Sequence, residues 1–363
     1  MNASNAASAP EPAVVVRRRG HAAHLVLSRP KAINALTHEM VGLLQAALVD
    51  CAADESVRTV VLTGAGERGL CAGGDIVALW NDAKAGGTEA ARFWADEYRL
   101  NALIAEYPKP YVAIMDGIVL GGGIGVSAHG RIRVVTERSS IGMPETGIGF
   151  LPDVGGTYLL SHAPGETGTH LGLTAGSIGA GDAIALGFAD FYVPSSQLST
   201  LLDDLEVHDA LSAVQRSAEE APTSPLLESR AWIDEAYQGG DLTKILTRLG
   251  ESDQADAAKA AAAIERKSPT SLRITLRALR EAATMGSLRP ALDMEYRLAL
   301  RCHAGHDFVE GVRAQVIDKD RNPQWQPARI EDVDDDTVAG YFASLAEQEL
   351  GLAPARDIEK ETI

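Results

Sequence analysis

The chain has 363 residues, of which 45% are hydrophobic and 23% charged, values that suit a globular protein with a well-buried core. Its formal net charge of -17 argues against nucleic acid or an anionic membrane as a partner, because the field would repel phosphates. No stretch approaches the roughly 18 consecutive apolar residues of a membrane helix. The three widely spaced cysteines indicate no disulfide framework and favour a reducing cytoplasm.

The N-terminal half of the chain, up to about residue 195, predicts an α/β fold. Residues 1–13 are small, polar and Pro-containing, so we predict a disordered head without a secretory or mitochondrial leader. Thr37 is a plausible cap for a helix over 37–53, and one long helix is predicted to end near residue 106. Short strands alternate with these helices up to about residue 195. The predicted strands cover 23–30, 57–64, 110–117 and 131–137.

Beyond residue 196 the pattern is helical almost throughout. Residues 203–265 are rich in charge and alanine, which predicts a solvated helical insert. Ser268 and Pro269 are typical of a helix cap followed by proline in the first turn. We therefore divide the chain into a head (1–13), a core with the active site (14–200), a helical C-terminal region (201–345) and a tail (346–363).

Three short motifs match familiar sites only in part. GAGERG (64–69) fits a dinucleotide-binding pattern, but glycines continue to Gly74 and interrupt the helix that such a site requires. GVSAHG (125–130) resembles a nucleophile elbow with His129 in place of the last glycine, so its serine is interpreted as a helix-packing residue. HAGHD (303–307) has two histidines and an acid but no further ligand cluster, and we predict no metal site.

Two glycine-rich turns carry more information together than either does alone. LCAGGD (70–75) and LGGGIG (120–125) each follow a strand and open a helix. N–H groups at a helix start have no partner within the helix, so two such ends can converge on one oxygen. PETGIGFLPDVGG (144–156) then places Glu145 and Asp153 on an apolar loop. This combination is typical of an oxyanion hole beside acid and base groups.

These elements resemble the crotonase (enoyl-CoA hydratase/isomerase) superfamily over about residues 14–345. Within it, the chain is most similar to the 3-hydroxyisobutyryl-CoA hydrolases. The resemblance implies a spiral of repeated β-β-α units, a helical C-terminal region and an acyl-CoA substrate. The matching segments are RPKAINALT (29–37), GLCAGGDI (69–76), FWADEYRLN (93–101), DGIVLGGGIGVSAHGRIRVVTE (116–137), MPETGIGFLPDVGGTYLL (143–160), SPTSLRITLRAL (268–279) and residues 294–325.

The resemblance also implies roles for individual residues. Gly74 and Gly122 match the two backbone N–H donors that hold the thioester carbonyl oxygen. Glu145 matches the acid of the later loop, Asp153 an acid typical of the hydrolases, and Glu97 a third acid that contacts substrate. Further substrate contacts are implied at Ala32, Ala72, Gly73 and Asp75.

One position departs from the hydratases, which carry a glutamate shortly after the middle glycine of the second turn. Here that position is Gly125. Because hydration in that manner uses two acids, the departure argues against hydratase activity. Glu145 would either attack the thioester or activate a water, and Asp153 would bind the substrate hydroxyl or carry a proton to the departing thiolate.

Structural alternatives remain open for several of these side chains. Asp153 precedes a helical segment and would make a reasonable N-cap. Glu97 lies beside Asp96 and Arg99, as on a solvated helix face. Lys31 and Arg68 would reach the CoA phosphates, or they are ordinary surface charges.

The sequence therefore predicts hydrolysis of 3-hydroxyisobutyryl-CoA, an intermediate of valine breakdown, without metal or added cofactor. The alternatives are an enoyl-CoA isomerase or hydratase-like lyase that uses only Glu145, and a non-catalytic scaffold. The partners expected are the acyl-CoA substrate and further copies of the chain, since crotonase relatives often form trimers.

Overall fold

The computed structural model of the chain describes residues 12–352. The predicted head lies outside them except for residues 12–13, and so does the tail after residue 352. Nine strands occur in the described part. They are β1 (Val14–Arg19), β2 (Ala22–Leu27), β3 (Thr59–Gly64), β4 (Tyr111–Met115), β5 (Ile118–Leu120), β6 (Ile132–Val135), β7 (Ser140–Gly142), β8 (Ser177–Ile178) and β9 (Phe191–Tyr192).

The strands form two sheets whose arrangement agrees with the spiral that the sequence predicts. The larger sheet has the order β1-β2-β3-β4-β6-β9, and every pair in it is parallel except the β1–β2 hairpin. The smaller sheet has the order β5-β7-β8. From β4 to β7 the chain alternates between the two sheets, and the parallel strands β3, β4 and β6 of the larger sheet are largely buried, as parallel strands require.

The helices of the N-terminal part pack on these sheets. Thr37 caps the first helix, because its side chain accepts a hydrogen bond from the Met40 N–H. The single long helix predicted up to residue 106 is wrong: it is broken at Gly86, which adopts φ +63° and ends one helix before the next begins. The helices are α1 (His38–Ala53), α2 (Ile76–Ala85), α3 (Glu89–Ala105), α4 (Gly122–Gly125), α5 (Gly156–Ser161), α6 (Thr167–Thr174) and α7 (Ala180–Ala185).

The C-terminal part is helical, as predicted, and Ser268 caps α14 with Pro269 in its first turn. The solvated insert predicted for 203–265 is wrong in one respect, since Tyr237 and Leu249 are fully buried in a separate apolar core there. The helices are α8 (Leu198–Leu205), α9 (Ala210–Ser217), α10 (Pro225–Glu228), α11 (Arg230–Tyr237), α12 (Leu242–Glu251), α13 (Ala255–Ile264), α14 (Pro269–Ala282), α15 (Leu288–Ala304), α16 (His306–Val312) and α17 (Asp335–Phe342).

The spiral brings the two glycine-rich turns side by side. Cys71 in the first turn pairs with Val119 of β5, directly before the second turn. Gly69 pairs with Gly117 in the same region, where both glycines have positive φ and a Cβ on either would collide with the other strand's backbone. Glycine is therefore required at this crossing, which fixes the start of α4 against the start of α2.

Candidate active site

The two turns meet at the N–H groups of Gly74 and Gly122. A Cβ on Gly122 would lie 3.3 Å from the Gly74 nitrogen, so a side chain there would fill the space that the two amides share. Within residues 12–352 neither amide donates a hydrogen bond to an acceptor. Two unpaired donors that face one small space are what an oxyanion hole needs. Their engagement of substrate remains a prediction.

A cavity of about 190 Å³ opens beside these amides. Its walls combine the glycine turns, three carboxyl side chains and a set of aromatic rings from α3, the loop after β7, and α16. The ring centroids of Trp94 and Phe150 stack 5.2 Å apart, and Phe308 lies 5.6 Å from Phe150. Phe308 belongs to the C-terminal region, so the active-site cavity is not confined to the predicted core.

Glu145 begins a short 3-10 helix, Glu145–Ile148, and only 7% of its surface is exposed. One carboxyl oxygen lies against the glycine turn, because a Cβ on Gly121 would be 2.6 Å from Glu145 Oε1. The other oxygen, Oε2, is buried without a hydrogen-bond partner among the described residues. Burial, reinforced by the charge of Asp153, raises the pKa of Glu145 well above its ordinary value.

Asp153 is also buried and accepts a hydrogen bond from the Tyr98 hydroxyl at 2.7 Å. Burial raises its pKa to about 7, although the Tyr98 hydrogen bond acts in the opposite direction. The Asp153 side chain does not cap α5. The residue at the N-cap is Gly155, and the amides of Gly155 and Thr157 donate to Glu295 instead, at 2.6 and 2.9 Å. The capping alternative for Asp153 is therefore not what the structure shows.

The turn after Asp153 is held in an unusual conformation. Val154 has φ +53°, a region that β-branched residues rarely adopt and that costs on the order of 1–3 kcal/mol. His129 Nε2 donates to the Val154 carbonyl at 2.7 Å, while Glu295 accepts from the next amide. The buried Tyr98 and Glu295 and the half-buried His129, from separate parts of the chain, thus fix Asp153 against the cavity.

Glu97 is 2% exposed on α3 and faces the cavity, whereas its neighbours Asp96 and Arg99 pair with each other at 3.0 Å on the exposed side. A Cβ on Gly122 would lie 2.7 Å from Glu97 Oε1, and that oxygen has no hydrogen-bond partner in the described chain. Burial first, and the Asp153 charge second, raise the pKa of Glu97 well above its ordinary value. The solvated-face alternative therefore does not hold for Glu97.

The other predicted substrate contacts fall into two groups. Ala72 and Gly73 line the cavity. Ala32 is exposed on the 3-10 turn Pro30–Ala32, and Asp75 pairs with Arg29 at 3.0 Å outside the cavity wall. Contact of Ala32 and Asp75 with a substrate remains a prediction.

Gly125 adjoins the same site. A Cβ there would lie 2.7 Å from Val154 Cβ and 2.8 Å from Asn101 Nδ2. The space that a glutamate side chain would occupy at this position is therefore filled by two neighbouring side chains. The close packing around Gly125 leaves no room for a glutamate side chain at this position.

Sequence reasoning missed Tyr98, Glu295 and the aromatic wall. Tyr98 stood in the quoted segment FWADEYRLN, directly after Glu97. Glu295 gave a weaker signal, as one acid between Met294 and Tyr296 in a helical pattern. Neither signal indicated contact with the Asp153 turn, because the contacts join residues 55 and 140 positions apart.

Other candidate sites carry structural interactions. In the described chain, no three His, Cys, Asp or Glu side chains are grouped to hold a metal. His303 lies 3.4 Å from Asp82, and Ser127 Oγ donates to the Gly123 carbonyl at 2.6 Å. The three cysteines are free and buried. None of the helices in residues 12–352 combines the length and apolarity needed to cross a membrane.

Comparison with known proteins shows one family over nearly the whole chain. The family model described as enoyl-CoA hydratase/isomerase matches residues 22–342. A relative from Gallus gallus, named 3-hydroxyisobutyryl-CoA hydrolase, mitochondrial, is 39% identical over 93% of this chain and 91% of its own. A solved structure of a carnitinyl-CoA dehydratase from Mycobacterium thermoresistibile is 50% identical, with a TM-score of 0.90 over 93% of this chain and 98% of that chain. An enoyl-CoA hydratase structure from Rhodobacter sphaeroides is 42% identical, with a TM-score of 0.89 over 93% and 99%.

Proposed function

This chain belongs to the enoyl-CoA hydratase/isomerase family, and we propose that it hydrolyses 3-hydroxyisobutyryl-CoA to 3-hydroxyisobutyrate and CoA. The observation that carries the proposal is the placement of Glu145 and Asp153. Both carboxyls are buried beside two unpaired N–H groups, while the position of the second hydratase glutamate is glycine. The relatives named as 3-hydroxyisobutyryl-CoA hydrolases support the same reaction.

The paired carboxyls suit hydrolysis because they share protons. Burial raises the pKa of both carboxyls, and the charge of Asp153 raises that of Glu145 further, so a proton can be held in the cavity and exchanged between the two acids. The ionised member acts as base or nucleophile, and the protonated member is a source of a proton. Separate acid and base groups are thereby available in one cavity without a metal or an added cofactor.

The reaction then follows from the geometry. Attack on the thioester carbon, by Glu145 directly or by a water that it deprotonates, moves negative charge onto the carbonyl oxygen. The N–H groups of Gly74 and Gly122 stabilise that charge without reorganising. The C–S bond breaks, Asp153 protonates the departing CoA thiolate, and the water oxygen ends in the released hydroxy acid. Direct attack by Glu145 requires a second step, in which water hydrolyses the acyl-enzyme anhydride.

The names of the two solved structures favour a second candidate, hydration or dehydration of an acyl-CoA. That chemistry interconverts a hydroxyl and a double bond and releases no thiol. The filled space at Gly125 speaks against the version that uses a glutamate there. The two candidates are separated by their products.

The deciding experiment offers purified protein 3-hydroxyisobutyryl-CoA, 3-hydroxypropionyl-CoA, crotonyl-CoA and a 3-enoyl-CoA, and follows both free thiol and double-bond absorbance. We expect thiol release confined to the two 3-hydroxyacyl thioesters and lost in Glu145→Gln. Substitution of the exposed Glu39 by Gln provides a control that leaves the cavity intact. An absorbance change without thiol release would instead establish the hydratase or isomerase alternative.

The remaining assignments are part of the same proposal. Activity without metal, a role in valine breakdown and self-association are each expected from the family resemblance. The relatives from several vertebrates carry the word mitochondrial in their names, whereas the sequence favours cytoplasm for this chain. Its location remains a prediction.

A further inference from the structure

The Glu97 carboxyl lies beside Gly122, one of the two glycines whose amides form the oxyanion hole. We propose, on the basis of the hydrolase function above, that Glu97 is a third member of the oxyanion hole, acting as a protonated carboxyl that donates a hydrogen bond to the thioester oxygen. Glu97 retains its proton throughout the reaction. Its role is to stabilise charge, and the proton transfers of hydrolysis stay with Glu145 and Asp153.

The geometry places three groups around one small space. A point at the Cβ position of Gly122 lies 2.7 Å from Glu97 Oε1 and 3.3 Å from the Gly74 nitrogen. Covalent geometry keeps the Gly122 nitrogen within about 2.5 Å of the same point. Glu97 Oε1 therefore lies within about 5 Å of the Gly122 nitrogen and about 6 Å of the Gly74 nitrogen, so one oxygen can lie within hydrogen-bond reach of both amides and of Glu97. That carboxyl oxygen is buried and has no hydrogen-bond partner within residues 12–352, so it is free to engage a ligand.

The charge of Glu97 decides whether this placement helps or hinders. An ionised carboxylate beside a developing oxyanion would oppose the reaction, whereas a neutral acid can donate to it. Burial and the negative charge of Asp153 raise the pKa of Glu97 well above its ordinary value. No ion pair with a cation offsets this effect in the described chain.

The negative charge of Asp153 favours the neutral form of Glu97. Asp153 and Glu145 face it across the cavity, and Tyr98 and Cys71 approach from α3 and the first glycine turn. Burial raises the pKa of both the Tyr98 hydroxyl and the Cys71 thiol, to about 12 for the thiol. The anionic charge in the cavity therefore belongs to the acid/base pair.

The test compares Glu97→Gln with Glu97→Leu. The side chain in Glu97→Gln is neutral at every pH and keeps an N–H donor of similar reach. The side chain in Glu97→Leu has a similar volume but no donor. Loss of one oxyanion donor lowers kcat by about 100-fold or more, and we expect this loss in Glu97→Leu. The kcat of Glu97→Gln should be at least about tenfold higher than that of Glu97→Leu. In wild type, kcat should fall at alkaline pH as Asp153 ionises and fall again at higher pH as Glu97 ionises, and Glu97→Gln should keep only the first of these two falls.

A second comparison separates the thioester oxygen from the substrate hydroxyl. Isobutyryl-CoA lacks the 3-hydroxyl but has the same carbonyl. Its thiol release should be slow and is followed at high enzyme concentration, where the fold loss from wild type to Glu97→Leu should be similar to that for 3-hydroxyisobutyryl-CoA. A loss confined to the hydroxylated substrate would show that Glu97 orients the hydroxyl and would overturn the proposal. So would a Glu97→Gln variant as impaired as Glu97→Leu, or a Glu97→Gln variant that keeps both alkaline falls of the wild type.

Failure of the proposed function looks different, because wild type itself would then release no thiol. Circular dichroism and urea unfolding establish that each variant is folded. If the Leu variant does not fold, the pH profiles of wild type and Gln still decide the question.

Discussion

Replacing Asp153 by Asn should make the folded protein more stable while it impairs the reaction. The pKa of the buried Asp153 carboxyl is raised to about 7, against about 3.8 for an exposed aspartate. Below pH 4 the carboxyl is protonated in both folded and unfolded chains. As pH rises towards 7, the unfolded chain releases the proton while the folded chain keeps it, so this group lowers the free energy of unfolding. Because Asn does not titrate, the free energy of unfolding of Asp153→Asn does not fall with pH for this reason.

The expected size follows from the shift. Each pH unit between the two pKa values is worth about 1.4 kcal/mol, so the advantage of the Asn variant should grow by up to about 3 kcal/mol from pH 5 to pH 7 and then level off. Urea unfolding of both proteins at pH 5, 6, 7 and 8, at one fixed protein concentration, measures this difference. Thiol release should fall in the same variant, because Asn cannot protonate the thiolate.

An aspartate that does cap a helix supplies the control. The Asp209 side chain accepts from the Ser212 N–H at the start of α9, so Asp209→Ala should lower the free energy of unfolding by about 0.5–2 kcal/mol and leave thiol release intact. If Asp153→Asn behaved like Asp209→Ala, with stability lost and turnover kept, the assignment of Asp153 to the cavity chemistry would be refuted. A stability difference that did not change with pH would refute the argument from burial.

Two further substitutions test how the Asp153 turn is held. In Glu295→Gln, one of the two amides at the start of α5 faces the N–H group of the glutamine in place of a carboxyl oxygen. Urea unfolding should therefore show a free energy of unfolding lower by about 1–3 kcal/mol. Steady-state kinetics should show a fall in kcat that is larger than the rise in KM. Gly125→Ala should cost about 1–3 kcal/mol in urea unfolding and lower kcat, because its Cβ meets Val154 at 2.7 Å. Gly42→Ala, in open space on α1, should instead raise the free energy of unfolding by about 0.5–1 kcal/mol with kcat unaffected. A Gly125→Ala protein as stable and active as wild type would contradict the close packing of Val154 and Asn101 around Gly125.

Much of the fold was predictable because its determinants are local. Thr37 and Ser268 cap helices at the expected positions, since a cap depends on hydrogen bonds within three residues. The alternation of strands and helices predicted the α/β class, and the resemblance to the crotonase superfamily implied the spiral. The break at Gly86 was missed because a glycine inside a polar helical pattern is only a weak signal.

The buried core of the C-terminal region could not be predicted from the composition of the sequence. Alanine and charge dominate residues 203–265, and this composition suggested a solvated surface. Tyr237 and Leu249 are nevertheless fully buried, because helices far apart in the chain bring their apolar faces together. Which faces meet is a property of packing, and a single helix does not reveal it.

The sequence alone determined which chemical groups this protein has available: two glycine turns with free amides, Glu145 and Asp153 on one loop, and glycine at position 125. Tertiary structure decided what those groups do to one another. It placed Glu97 beside the two glycine amides. It also placed Glu295 where it accepts from the amides at the start of α5, so that the Asp153 side chain lines the cavity. It also buried the three carboxyls together, which raises their pKa values. Proton affinity in such a site depends on desolvation and on charges brought close by the fold, and neither is encoded in any short stretch of the chain.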